Sequence, residues 1–186
     1  NGRSSESSLT VAGFVTKLDS ETGNLVSSKR IILPSKGAGS SNTRIEAACA
    51  AEDEPIIYIV GSYDRDYIVK SPFVAKIHAS TLEMVWMKQF ESTANARALG
   101  CQVDKHNEAI VYVAGTIEDS GELLVDQELL VDNSQGTMTT KSHHGGDDVF
   151  VTKIRAYDDE DGGDRDENSV LWARQLGTSG NDRLAP

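Results

Sequence analysis

Apolar residues fall in short runs broken by turn residues, and several runs are apolar on both alternating faces. Residues 10–18 (TVAGFVTKL) and 25–33 (LVSSKRIIL) are rich in β-branched side chains and flank DSETGN. That composition predicts two strands and a turn, hence a hairpin. Four more runs, at 44–51, 56–62, 67–77 and 84–90, are spaced as an antiparallel meander. In the second of them Ile56, Tyr58 and Val60 alternate with Ile57, Ile59 and Gly61, so neither face is polar. A strand of that kind is buried on both sides, as in sheets stacked on sheets. Strands around 98–103, 109–116, 150–154 and 171–176 continue the series, interrupted by excursions at 118–144 and 156–168. The first excursion holds an echo, ELLVDQELLVDN, which fits one side of a helix, two short strands or a folded loop equally well.

The runs recur in one order. Asn-x-Arg (Asn42/Arg44, Asn95/Arg97, Asn181/Arg183) precedes an aliphatic run ending in glycine (IIYIVG, IVYVAG). Phe-x-x-Lys follows (from Phe14, Phe73 and Phe150), and then an aromatic strand (VWMKQF, LWARQL). From Gly61 to Gly115 is 54 residues, close to the roughly 50 of a kelch-type four-stranded blade. Repeated meanders arranged radially leave only short, protected edges. The expected fold is therefore all-β, a β-propeller segment of four-stranded antiparallel blades. Its divisions are a polar segment at 1–9, a partial blade (outer hairpin and loop) at 10–43, a blade at 44–91, a blade with both insertions at 92–180, and the start of another at 181–186.

Composition narrows the function classes. The net charge of -11 opposes a nucleic-acid groove, which needs clustered Lys and Arg, and opposes an anionic membrane surface. No apolar run is long enough to span a bilayer as a helix, and NGRSSESS lacks the regions of a signal peptide. The chain does not begin with Met, so a processed or truncated N-terminus is expected. Cys49 and Cys101 lie four or five residues after an Asn-x-Arg arginine. They read first as buried free thiols facing a common core, with a disulfide as the alternative.

The phrases VYVAGT, GGDDVFVTKI, LWARQLGTSGNDR, FVAKI and VWMKQF resemble the β-propeller repeat known as SBBP, over roughly residue 10 to the end. Three places depart from the pattern. Ser27 stands where the other units have Trp86 and Trp172, SPF precedes the second Phe-x-x-Lys in place of GGDDVF, and residues 91–94 replace the glycine turn. The resemblance implies a ring of radially packed blades, of which this chain holds too few to close. A fragment of a longer chain is expected, or an assembly of several copies. The family is defined by architecture rather than by a shared reaction.

Each candidate site has a structural competitor. Asn42, Arg44, Asn95, Arg97, Asn181 and Arg183 would form a ring of ligand-binding groups in a propeller, or bond between blades and to turn carbonyls, and recurrence in every unit favours the latter. Asp158, Asp159, Asp161, Asp164 and Asp166 are candidate calcium ligands, but DDEDGGDRDEN does not follow an EF-hand register and suits a solvated loop. His143 and His144 would diverge on a strand, while His78 and His106 stand alone. Trp86 and Trp172 read as packing residues between blades. No nucleophile elbow, P-loop, zinc-protease motif or dinucleotide fingerprint is present.

The expected function is a non-enzymatic structural or protein-interaction module, part of an extracellular or cell-surface propeller, without a cofactor. It would meet a protein partner, or assemble with itself, through its inserted loops, and would adjoin the remaining blades of the same chain or other copies. The alternatives are a glycan- or calcium-binding lectin-like propeller and a hydrolase whose active site lies on absent blades.

Overall fold

A computed structural model of the chain describes residues 11–33, 42–52, 54–64, 69–119, 121–124, 145–156 and 169–184, without the side chain of Glu108. The described residues are all-β, in four antiparallel sheets. Strands β1 (Gly13–Leu18) and β2 (Leu25–Ile31) form the expected hairpin. Its turn is set by Asp19, whose carboxylate accepts from the backbone N–H of Glu21 and Thr22, and by Gly23 at φ 69°.

The first four-stranded sheet runs in chain order through β3 (Thr43–Ala50), β4 (Ile56–Asp64), β5 (Lys70–His78) and β6 (Met84–Gln89). A short β7 (Glu91–Ser92) leads to the second sheet, β8 (Ala96–Asp104), β9 (Asn107–Ile117), β11 (Asp148–Arg155) and β12 (Val170–Leu176), again a meander. From the 118–144 excursion the described residues include β10 (Leu123–Leu124), which pairs with β7 and buries Leu123 in the main core. Residues 125–144 and 157–168 lie outside the described residues, and with them the rest of the Leu/Val echo and the acidic loop.

The sheets share a register down to their irregularities. Gly61 lies opposite Ile45 and Phe73, and Gly115 opposite Ala98 and Phe150. A bulge at Glu46 in β3 matches one at Leu99 in β8. Next to each, a Cβ on the glycine would collide with the carbonyl oxygen of Arg44 or Arg97. The aliphatic-Gly motif is thereby explained, because only glycine lets that carbonyl cross so close. Second bulges before Ser27, Trp86 and Trp172 mark the outer strands of all three units.

The sheets pack in one direction. Odd-numbered Ile57, Ile59 and Tyr63 of β4, with Phe73, Ala75 and Ile77, pack toward Val15 and Ile31 of the hairpin. Even-numbered Tyr58 and Val60, with Val74 and Phe90, pack toward Ala96, Ala98, Val113 and Phe150 of the second sheet. Because Val113 and Phe150 are the counterparts of Ile59 and Phe73, the same back face is used both times, against the front face of the preceding unit. Both faces of β4 are therefore buried, as its uniformly apolar sequence requires.

Cys49 and Cys101 are bonded, with their Cα atoms 5.7 Å apart, which corrects the reading of free thiols. Cys49 lies opposite Tyr58, but the residue opposite the matching Tyr112 is Gln102. Cys101 is thus one register position away and projects from the other side of its sheet. Stacking a front face on a back face needs that offset, since cysteines at identical positions would point the same way.

Candidate functional site

The Asn-x-Arg motif has one recurring geometry. The Asn42 side-chain oxygen accepts from the backbone N–H of Val11 at 2.8 Å, Asn95 from Lys70 at 3.0 Å, and Asn181 from Asp147 at 3.3 Å. Each donor lies three residues before the phenylalanine of a Phe-x-x-Lys. The Asn42 amide donates to Asp64 Oδ2 at 2.6 Å and that of Asn95 to Glu118 Oε2 at 3.0 Å. Asp64 and Glu118 in turn donate their backbone N–H to the carbonyl oxygens of Asn42 and Asn95. Each of these asparagines therefore ties the Phe-x-x-Lys strand of one unit to the first two strands of the next. The two carboxylates were not singled out from the sequence, although each follows its glycine by three residues.

The arginines do not share one partner. Arg97 Nη2 lies 3.3 Å from Glu118 Oε1, joining the same cluster, whereas Arg44 Nε pairs with Glu46 at 2.8 Å without hydrogen-bond geometry. The Arg44 side chain is mostly exposed, and Arg183 is exposed as well.

At the start of β11, Gly145 and Gly146 take positive φ values of 96° and 78°, where a side chain is strained. Asp148 is buried and accepts from Gln175 Nε2 at 2.7 Å, and Gln175 also donates to the Gly121 carbonyl at 2.8 Å. Its other oxygen has no hydrogen-bond partner among the described residues and lies against Gly177, where a Cβ would collide with it. Among the described residues no group of three His, Cys, Asp or Glu is placed to hold a metal ion. The candidate calcium ligands Asp158, Asp159, Asp161, Asp164 and Asp166, with His143 and His144, lie outside the described residues.

Aromatic pairs recur on the front faces. Tyr58 and Trp86 have ring centroids 6.0 Å apart, and their counterparts Tyr112 and Trp172 are 6.2 Å apart. Between each pair sits the lysine of Phe-x-x-Lys, paired across the sheet with both aromatics. Lys153 Nζ lies 5.4 Å from the Tyr112 ring centre, in cation–π range. Lys76 is buried by the second sheet, whereas Lys153 is half-exposed. Asp104 accepts from the His106 backbone N–H and from the Tyr112 hydroxyl, and the former chiefly holds its carboxyl below the ordinary value.

No helix among the described residues is long and apolar enough to cross a membrane. The chain matches no family model, no curated protein and no solved structure.

Proposed function

We propose that the chain is a segment of a β-propeller serving as a rigid structural or protein-interaction module, its repeated sheets acting as scaffold and its insertions as the contact surface. The observation that carries this reading is the directional packing of a front face on a back face twice in succession. A unit that always presents the same back face to the preceding front face generates a ring when the rotation between units closes. The SBBP resemblance of the repeated phrases supports the same reading. The Cys49–Cys101 disulfide supports an extracellular or cell-surface setting, since such bonds persist in oxidising compartments.

Two experiments test it. Negative-stain images of the assembled protein should show rings with a central axis, and open rods would overturn the propeller. Deleting residues 158–168 should leave the unfolding midpoint unchanged while abolishing crosslinking to proteins on the surface of the producing cell. Undiminished crosslinking would remove that loop from the contact surface.

A further inference from the structure

Equivalent residues are buried in some units and bare in others, and the pattern identifies what belongs against them. Phe73 and Phe150, on the back faces of the two four-stranded sheets, are both 0% exposed, yet Phe14 at the same position of the hairpin is 71% exposed. On the front faces the order reverses. Ile31 and Phe90 are 3% and 1% exposed, while Leu176 at the third equivalent position is 60% exposed. Around Leu176 lie half-exposed Val149, Val151 and Trp172, although Val74, the counterpart of Val151, is fully buried. On the same face as Phe14, beyond the Thr16–Ser28 pair, lie exposed Leu18 and Leu25.

The hairpin therefore ends in an uncovered back face and the second sheet in an uncovered front face. Each internal junction shows a front face of this type occupied by the back face of the following unit, and the hairpin carries the equivalents of the last two strands of that back face. We propose that the front face of the second sheet, centred on Leu176 and Trp172, binds the back face of the β1–β2 hairpin of a second copy, centred on Phe14. The contact is head to tail. Each copy keeps one free end after pairing, so association continues beyond a dimer. The clip from Asn181 to the Asp147 backbone N–H, with Asp182 donating to the Asp147 carbonyl, orders the rim of this face as Asn95 orders the internal one.

This inference rests on the directional packing used above, and its test separates the two. Sedimentation velocity across the micromolar range should show concentration-dependent association of the disulfide-bonded chain. Phe14→Glu and Leu176→Glu place a charge at exposed positions, so each should keep the wild-type urea midpoint. Each should also lower the association constant more than about tenfold, a loss of 1.4 kcal/mol or more. Mixed together, the two variants should form a one-to-one dimer that goes no further, because each supplies the end the other lacks. A wild-type chain that stays monomeric, or a mixture that stays monomeric while wild type associates, would overturn the proposal. Association blocked by Leu176→Glu but untouched by Phe14→Glu would also overturn it, in favour of a front-to-front contact. Head-to-tail rods without rings would retain this inference and remove the propeller, whereas rings formed by a longer chain that contains this segment, with the segment itself staying monomeric, would do the opposite.

Discussion

The Cys49–Cys101 bond joins the first strands of two sheets whose surrounding contacts are already apolar and extensive, so its removal isolates a constraint on the unfolded chain. The bonded residues are 52 positions apart. A loop of that length loses closure entropy on cross-linking equivalent to about 4 kcal/mol at 25 °C in the chain-entropy model. Tyr58, Val60, Val74 and Phe90 still bury themselves against the second sheet without the bond, so a Cys49→Ala/Cys101→Ala chain is expected to fold with lowered stability. The measurement is urea unfolding of the oxidised chain, the reduced chain and the double variant. The reduced chain and the double variant should fall together, below the oxidised protein by a large part of that figure. The single variants should match the double, because the second thiol has nothing left to bond. A difference under about 1 kcal/mol would refute the reasoning, as would a reduced chain as stable as the oxidised one.

Gly61→Ala and Gly115→Ala force a Cβ into a backbone carbonyl and should each cost about 1–3 kcal/mol by thermal or urea unfolding, while Gly100→Ala meets open space and should stay within about 0.5 kcal/mol. Asn95→Ala removes bonds to Lys70 and Glu118 and should destabilise by about 1–3 kcal/mol, whereas exposed Arg44→Ala should change little; equal effects would break the clip argument. Asp19, held low chiefly by its side-chain bond from Thr22, and Asp104, held low chiefly by the His106 backbone N–H, both lie below their ordinary 3.8. Their ionised forms are the ones the fold favours, so their stabilisation is complete above that value and is lost as pH falls through the lower folded values. Asp104→Asn should flatten the acid limb of a stability-versus-pH curve, and an unchanged limb would count against it.

Much of the fold was legible because the information lies in short phrases. Periodicity placed the strands, the uniformly apolar IIYIVG announced burial on two sides, and the Asn-x-Arg recurrence marked where each new sheet begins. The bonding of the cysteines was not legible, because it turns on a single register position that depends on where the β3 and β8 bulges fall. Nor were Asp64 and Glu118, which lie beyond the glycine that ends the recognisable phrase and matter only through an amide from another strand. The brief β7–β10 pairing escaped for a related reason. Two residues carry no periodicity, and Leu123 is fixed by the core it enters rather than by its neighbours in sequence.

The unequal faces of each sheet make the protein vectorial. Enlarging a side chain at the Val74 position strains only the downstream neighbour, and one at Ala75 only the upstream neighbour. Each substitution is therefore felt on one side of its sheet, and turning a single module back to front would set like faces against each other at both of its joints.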